Sequence, residues 1–219
     1  VLHDVCLTVE PGQMVAIVGG SGCGKTTLIK LLEGFYAADS GEIFVGGAPI
    51  SQLSNHDLRG KLSYIPQDAQ LSSGTIAQNV ALSQAKLDAV RVQDCLDQAS
   101  LFLESDTPVG EGGSGLSGGQ AQRVSIARAL YRDAPVYLLD EATSSLDSAT
   151  EKQLQHTIDT VLRGKTVLVI AHRLSTVRNA HKIVYMEQGR ILETGTHEEL
   201  LALGGGYAGL YHSRKVFSR

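Results

Sequence analysis

The sequence predicts an α/β fold with a mainly parallel sheet, and three observations support this prediction. Short apolar runs end abruptly in polar or glycine-rich residues, as strands buried on both faces do. Segments with helical spacing of apolar residues lie between these runs. Strands that alternate with helices along a chain are typical of parallel sheets. The four runs are Met14–Val18, Leu62–Ile65, Val136–Leu139 and Thr166–Ile170.

Two intervening segments have the apolar spacing of amphipathic helices. The residues on one face are Leu28, Leu31, Leu32 and Phe35 after the first run, and Leu154, Ile158, Val161 and Leu162 after the third. Ser148 and Glu151 form a capping-box signal at the start of the second segment. We therefore expect a helix in each segment.

The middle of the chain departs from this alternation. Residues 67–132 are mostly helical in pattern, which predicts an inserted helical subdomain. We place this subdomain at 68–132 and the core of the domain at 1–67 and 133–219.

The end of the chain predicts a small antiparallel portion. Gln188-Gly189 separates two apolar segments, 182–186 and 190–193, and such a dipeptide is a hairpin signal. Thr196 followed by Glu199 predicts a short capped helix after the hairpin.

Composition excludes several classes of protein. The chain has 219 residues, of which 42% are hydrophobic and 19% charged, and this is typical of a globular domain rather than a disordered one. A net charge of −4 argues against a dominant basic surface for nucleic acid. The three cysteines are too few and scattered for a disulfide framework or a zinc site. The apolar runs, about five residues long, are too short for a membrane helix.

A glycine-rich segment predicts a phosphate-binding loop. Residues 19–26 match the pattern G-x-x-x-x-G-K-[ST]. The backbone N–H groups of such a loop surround phosphates, and the following helix points its N-terminus at the same anion. A glycine-rich hairpin, the alternative, does not explain why the motif follows a strand and opens a helix. The expected nucleotide contacts are Gly20, Ser21, Gly22, Cys23, Gly24, Lys25, Thr26 and Thr27.

Three side chains near this loop have expected chemical roles. Lys25 would reach the β- and γ-phosphates, and the Thr26 hydroxyl would bind Mg²⁺. Cys23 has two readings, a small packing residue or a thiol made acidic by the helix N-terminus.

The third apolar run ends in two carboxylates, Asp140 and Glu141. A solvated strand end would be the simpler interpretation of this pair alone. Beside a phosphate-binding loop, we expect Asp140 to hold Mg²⁺ and Glu141 to polarise an attacking water.

The segment Leu116-Ser-Gly-Gly-Gln120 predicts a second anion-binding helix N-terminus. Ser117 would cap a helix that continues to Leu130, and the two glycines would let a ligand approach closely. A simple capped helix would explain Ser117 but not the paired glycines followed by glutamine.

Taken together, these motifs resemble the nucleotide-binding domain of ATP-binding cassette (ABC) transporters. The resemblance also includes His172 in Ala-His-Arg-Leu-Ser, and it extends from Val5 to the C-terminus. It implies a phosphate-loop NTPase core that binds ATP and Mg²⁺. It further implies a head-to-tail homodimer. Each ATP then lies between the phosphate-binding loop of one copy and the signature helix of the other, which is the helix that begins with the Leu116-Ser-Gly-Gly-Gln120 segment. Ser117, Gly118, Gly119 and Gln120 would act in trans on the partner's ATP.

The resemblance assigns the remaining site residues. Gln67 matches the glutamine that touches Mg²⁺ and the attacking water, and His172 matches the histidine that contacts the γ-phosphate. Asp147 lies in a loop that crosses to the partner's site. The implied catalytic residues are Glu141, His172, Gln67 and Lys25, and the implied metal ligands are Thr26, Gln67 and Asp140. The strands deliver these polar residues at their carboxyl ends, where ligands bind in parallel α/β sheets.

Three segments resemble the exporter branch of the family: 71–80, 107–113 and 194–200. The first resembles the segment that meets the coupling helices of a transmembrane domain. Gly113 and Ser72 depart from the arginine and the bulky aromatic residue usual at those positions. The resemblance implies export of an unknown substrate, a transmembrane domain fused upstream or separate, and a place on the cytoplasmic face of a membrane, the bacterial inner membrane being expected.

Two other function classes stay open. One is a soluble cassette ATPase acting on DNA or ribosomes, but the sequence has neither a long heptad coiled coil nor a second cassette with a basic linker. The other is a nucleotide-binding regulatory module without turnover, which predicts loss of Glu141 or His172, and both are present.

The start of the chain suggests a fragment, because Val1 already belongs to a strand-like pattern. In the family that the chain resembles, an aromatic residue that stacks on adenine precedes this point, and here the first aromatic is Phe35. We expect ATP affinity to be lower by about 1–3 kcal/mol without it, the scale of base–aromatic stacking.

Overall fold

The structure is a computed structural model that describes residues 1–82, 87–140, 156–171 and 174–217. It divides into two compact units, one formed by residues 1–62 with 164–219 and the other by residues 63–163. The predicted fold class is confirmed, because helices alternate with strands of a mainly parallel sheet. The boundaries given above for the helical subdomain, 68–132, remain a prediction.

The elements of the first unit come from both ends of the chain. The N-terminal part contains β1 (Met14–Gly19), α1 (Lys25–Leu32), β2 (Phe44–Val45), β3 (Ala48–Pro49), a 3₁₀ turn (Ile50–Gln52) and α2 (Asn55–Lys61).

The elements of the second unit follow, and the chain then returns to the first. The second unit has β4 (Leu62–Ile65), β5 (Gly74–Thr75), α3 (Ile76–Ala81), α4 (Ala89–Gln98), β6 (Pro108–Val109), a 3₁₀ turn (Glu111–Gly113), α5 (Gly118–Arg132), β7 (Val136–Asp140) and α6, which is helical at residues 156–161. The C-terminal part of the first unit has β8 (Thr166–Ile170), α7 (Leu174–Asn179), β9 (Lys182–Glu187), β10 (Arg190–Gly195), α8 (His197–Leu203) and α9 (Gly206–Phe217).

In the first unit β1 lies between two parallel neighbours, β8 and β9. Val15, Ala16 and Ile17 of β1 are fully buried. This burial on both faces explains why the strand is an uninterrupted apolar run. All four predicted strands form where the apolar runs lie, as β1, β4, β7 and β8.

The predicted hairpin joins β9 to β10, which pair antiparallel. Its turn residues Gln188 and Gly189 both have positive φ, 47° and 75°, as a two-residue type I′ turn requires. A Cβ at Gly189 would collide with the Val1 carbonyl oxygen, and the N–H of His3 donates to the Gly189 carbonyl over 2.9 Å. Glycine at this turn thus also allows the N-terminal segment to approach.

The predicted apolar face of α1 is wrong at Phe35. The helix ends at Leu32, and Phe35 is 63% exposed, whereas Ile29 is the buried apolar residue of the helix. Gly34 reverses the chain at φ 75°, and the N–H of Phe35 donates back to the Lys30 carbonyl over 2.9 Å. The helical periodicity therefore stops one turn earlier than the sequence spacing indicates.

The second unit is organised around α5, which packs against α3 and α4. Val124, Ile126 and Ala127 on this helix are buried, so it is enclosed on more than one side. β5 and β6 form a short antiparallel pair that the sequence did not predict. Ile158 and Leu162 are buried as predicted, but Leu154, Ser148 and Glu151 lie outside the described residues.

None of the helices in the described ranges is both long and apolar enough to cross a membrane.

We expect a buried serine in α5, Ser125, to lower the stability of the second unit. Ser125 is completely buried, and its hydroxyl has no hydrogen-bond partner among the described residues. An unpaired buried hydroxyl costs about 1–3 kcal/mol, and alanine is also the better helix former. We expect Ser125→Ala to raise the free energy of unfolding by about 1 kcal/mol in urea denaturation.

The matched control is Ser63, which is equally buried but donates to the Ala129 carbonyl over 3.1 Å. Ser63→Ala should lower the free energy of unfolding by about 1 kcal/mol, because it removes a satisfied hydrogen bond. Equal losses of stability in the two variants would contradict the assignment of Ser125.

A buried histidine joins α8 to α9. The Nδ1 of His197 lies 2.6 Å from the Tyr207 hydroxyl, and the Tyr211 ring contacts the imidazole at an angle of 58°, with 4.8 Å between ring centroids. Burial lowers the pKa of His197 below its ordinary value of 6.5; Glu198 opposes this shift and Arg178 adds to it. Burial also raises the pKa of Tyr207 to about 12, so its hydroxyl keeps the proton that it can donate to a neutral imidazole.

The stability of this region should fall as the pH drops below about 6.5. The unfolded chain takes up a proton at the ordinary histidine pKa, and the folded chain takes it up only at a lower pH. The contribution of His197 to the free energy of unfolding is therefore complete above pH 6.5 and is lost as the pH falls below it. We expect His197→Asn to flatten the dependence of the free energy of unfolding on pH between 6.5 and 5. A His197→Asn profile identical to the parent's would contradict the prediction.

Candidate functional site

The predicted phosphate-binding loop lies where β1 ends and α1 begins. Gly22 and Gly24 adopt positive φ, 75° and 105°, and Gly24 is the N-cap of α1 without a side-chain cap. The first N–H groups of a helix have no intrahelical acceptor. The N–H groups at the start of α1 therefore form the expected anion-binding end of the helix.

Lys25 is held inside this loop. Its ammonium Nζ donates to the Gly20 carbonyl over 2.8 Å and to the Gly19 carbonyl over 3.2 Å, and it lies 3.7 Å from the Cys23 sulfur. The side chain is only 6% exposed. A buried ammonium must have acceptors, and here the loop itself supplies them. Phosphate oxygens are stronger, charged acceptors for the same donor.

Gly19 leaves no room for a side chain at the start of the loop. A Cβ there would collide with the Met186 carbonyl oxygen and would approach the Cys23 sulfur to 2.7 Å. The glycine therefore lets β9 lie directly against the turn from β1 into the loop. Cys23 is buried, at 6% exposure, which favours its packing role over an accessible reactive thiol.

A cavity of about 480 Å³ borders the outside of the loop. The loop contributes residues 20–23, the β9 end contributes Tyr185 and Glu187, and α9 contributes Gly206, Gly209 and Ser213. Its size is within the range of about 300–1,000 Å³ usual for small-molecule sites. The loop is thus accessible from the side of β9 and α9.

In the second unit, Asp140 is the last residue of β7, as predicted. Its carboxylate is 7% exposed, and its Oδ2 accepts a hydrogen bond from the Tyr64 hydroxyl on β4 over 3.5 Å. Tyr64 was missed in the sequence, because only the adjacency of β4 and β7 reveals that the two side chains meet.

Gln67 lies just after β4 and is exposed to solvent. Pro66 separates it from the strand, and the carbonyls of Pro66 and Gln70 accept hydrogen bonds from α5. Gln67 thus lies two residues beyond the carboxyl end of β4, where the sequence places it.

The N-terminus of α5 has the predicted cap. The Ser117 hydroxyl accepts from the Gln120 N–H over 3.2 Å, and the Gln120 side chain accepts from the Ser117 N–H over 2.8 Å. Ser117 and Gly118 are exposed. Because Ser117 Oγ acts as an acceptor in the cap, its own proton can be donated to a ligand in front of the helix.

Three predicted site residues, Glu141, Asp147 and His172, lie outside the described residues. Their roles, and the grouping of all the predicted residues into one site, remain predictions. The structure places Gly20 to Thr27 in one loop of the first unit and in the first turn of α1 that follows it. It also places Gln67, Asp140 and the segment Ser117–Gln120 at strand and helix ends of the second.

Known proteins similar to this chain agree with these observations. Residues 2–144 match the family model described as ABC transporter. The chain is 48% identical over 220 residues to the ATP-dependent lipid A-core flippase of Saccharophagus degradans, covering 97% of this chain and 38% of that protein. The corresponding flippase of Bordetella avium is 50% identical over 219 residues, covering 96% and 37%.

A solved structure of a bacterial Atm1-family ABC exporter with ATP bound has the same fold. The TM-score is 0.89 at 39% sequence identity, with 97% of this chain and 38% of that chain covered. This chain thus spans less than two fifths of the length of the relatives it matches. On the family model and these identities, the chain belongs to the ABC transporter family, as an ATPase domain of the exporter type.

Proposed function

We propose that the chain hydrolyses ATP to drive export of a lipid A-core-type glycolipid across a membrane. The observation on which this rests is the phosphate-binding loop, in which the Lys25 ammonium is buried among loop carbonyls at the start of α1. The similarity to lipid A-core flippases supports the choice of substrate class.

ATP binding uses groups that are already in place. The first-turn N–H groups of α1 donate to the phosphate oxygens, and Lys25 exchanges its loop carbonyls for the β- and γ-phosphates. The positive end of the helix dipole and the ammonium both favour a highly charged anion. The loop therefore provides most of the recognition of the triphosphate.

Mg²⁺ fits the donor set of the predicted ligands. The Thr26 hydroxyl, the Gln67 amide oxygen and the Asp140 carboxylate are all hard oxygen donors, which Mg²⁺ prefers. When bound, the ion neutralises negative charge on the β- and γ-phosphates. The Tyr64 hydroxyl holds one carboxylate oxygen of Asp140 and so limits the orientations of this ligand.

Glu141 and His172 have the remaining roles in hydrolysis. Glu141 orients and polarises the attacking water, and His172 contacts the γ-phosphate. Both follow strands that end in the described residues, β7 and β8 respectively.

The signature segment acts in a dimer of two such domains. The exposed N-terminus of α5, capped by Ser117, binds the γ-phosphate of the ATP held by the partner domain. ATP bound between the two domains then holds them together, and hydrolysis removes the γ-phosphate that both domains contact. A transmembrane domain, contacted at 71–80, couples this cycle to export from the cytoplasmic face of a bacterial membrane.

The two earlier alternatives are less well supported. The two relatives described above are ATP-dependent lipid A-core flippases rather than ATPases that act on DNA or ribosomes. A non-hydrolysing module would not need a complete set of catalytic positions, and this sequence retains Lys25, Gln67, Glu141 and His172.

Two substitutions should separate binding from hydrolysis. Lys25→Ala should weaken ATP binding at least about tenfold, because an ammonium–phosphate contact is lost. Glu141→Gln should keep the parent affinity and lower turnover by roughly a hundredfold or more, because the base is lost. Affinity is measured by titration with a fluorescent ATP analogue, and turnover by phosphate release.

The control is Lys30→Ala, at an exposed position on the same helix, which should keep both parent values. Glu141→Gln should also elute as a dimer when ATP is present. Phosphate release by Glu141→Gln at the parent rate would contradict the assignment of the base.

The substrate class is tested in the transporter that contains this domain. Its rate of ATP hydrolysis should be higher in vesicles that contain lipid A-core than in vesicles of phospholipid alone; equal rates would overturn the substrate class.

A further inference from the structure

We propose that Gln122 and Arg128 of α5 are positioning residues that hold Gln67 in a fixed place relative to the signature helix. This inference rests on the proposed function, in which Gln67 touches Mg²⁺ and the attacking water. Neither side chain would touch the nucleotide. Each acts through the backbone of the loop that contains Gln67, residues 66–70, which we call the glutamine loop.

The first contact is on the N-terminal side of Gln67. The Nε2 of Gln122 donates to the Pro66 carbonyl over 2.9 Å, one residue before Gln67. Gln122 is only 3% exposed. A glutamine at that depth must have its amide paired, so this bond is part of the fold rather than an incidental surface contact.

The second contact is on the C-terminal side of Gln67. The Nη1 of Arg128 donates to the Gln70 carbonyl over 2.9 Å. Burial lowers the pKa of the Arg128 guanidinium, which indicates a partly desolvated charge whose donors must be satisfied. Together the two side chains fasten the glutamine loop at both ends, with residues 67–69 between them.

Arg128 also fastens the segment that follows the glutamine loop. Its Nε donates to the Asn79 carbonyl over 2.8 Å, and its Nη2 lies 3.4 Å from the Asn79 side-chain oxygen. The Asn79 amide in turn bonds both the N–H and the carbonyl of Ser72, over 2.9 and 2.8 Å. The segment 71–80 is therefore tied to α5 by the same arginine.

These bonds make the glutamine loop and the signature N-terminus parts of one body. Ser117 begins the same helix whose later turns present Gln122 and Arg128. Gln67 itself is exposed, and the two carbonyl contacts hold the backbone on either side of it. A misplacement of about 1 Å can lower a catalytic rate about a hundredfold, and the contacts are placed to prevent such a shift.

The test compares Gln122→Met in the parent chain and in a Gln67→Ala chain. Methionine has nearly the same length but no N–H donor, so it removes the bond to Pro66 and keeps the volume. In the parent chain we expect kcat for MgATP to fall about tenfold, with the ATP dissociation constant unchanged within about twofold. In the Gln67→Ala chain the same substitution should lower kcat no further, because Gln122 acts through Gln67.

A second readout does not depend on activity. Deuterium uptake by the peptide that contains residues 66–70 should become faster in Gln122→Met and in Arg128→Met, while uptake in β1 stays at the parent rate. Arg128→Lys, which keeps one charged donor, should lie between Arg128→Met and the parent. Gln93→Met is the matched control: Gln93 is a half-buried glutamine on α4 whose Nε2 donates to the Asp97 carboxylate over 3.0 Å, and it should change neither uptake nor kcat.

Two results would overturn the inference. One is a fall in kcat of the same size in the Gln67→Ala chain, which would show that Gln122 acts elsewhere. The other is parent-like deuterium uptake at 66–70 in Gln122→Met. If the parent chain itself does not hydrolyse ATP, the proposed function fails, and the uptake measurement still decides whether the two side chains hold the glutamine loop.

Discussion

The burial of β1 between two parallel neighbours is the constraint on which the first unit depends. A strand enclosed in this way must be apolar along its length, and its carboxyl end is the first place where polar chemistry can appear. The phosphate-binding loop starts at that point, at Gly19, where β9 leaves no room for a side chain. The position of Lys25 is thus a consequence of sheet packing as much as of the loop sequence.

In the second unit the corresponding constraint is the enclosure of α5. The long polar side chains of a helix buried on several sides need partners inside the protein, and the available acceptors are backbone carbonyls of neighbouring segments. Arg123 donates to the Ala99 carbonyl over 3.0 Å, as Gln122 and Arg128 do to the glutamine loop. These three polar residues therefore connect α5 to other segments of the unit, and its apolar residues fill the interior.

Most of the fold could be predicted from the sequence, because periodicity and end signals are local. The strands around Met14 and Thr166 and the caps at Ser117 and Thr196 follow from neighbouring residues alone. The end of α1 could not be predicted as well, since Gly34 reverses the chain before Phe35 can reach the helical face. The short pair β5–β6 was also missed, because two residues per strand give no periodicity.

The candidate site divides in the same way. The residues of the phosphate-binding loop and the carboxylate Asp140 lie in recognisable local patterns. Tyr64, Gln122 and Arg128 do not, because a polar residue on an amphipathic segment normally indicates a solvent-facing side. Only the fold shows that these three point inward to partners far along the chain.

The hydrogen bonds of Lys25 within its own loop have a consequence for selectivity. Its donors are already satisfied by the Gly19 and Gly20 carbonyls, so a nucleotide gains only the difference between phosphate and carbonyl as acceptors. The N–H groups and the ammonium of this site are directed at the charge of the phosphates, and they cannot distinguish a purine from a pyrimidine. Discrimination between ATP and other nucleoside triphosphates must therefore come from contacts to the base, outside this loop.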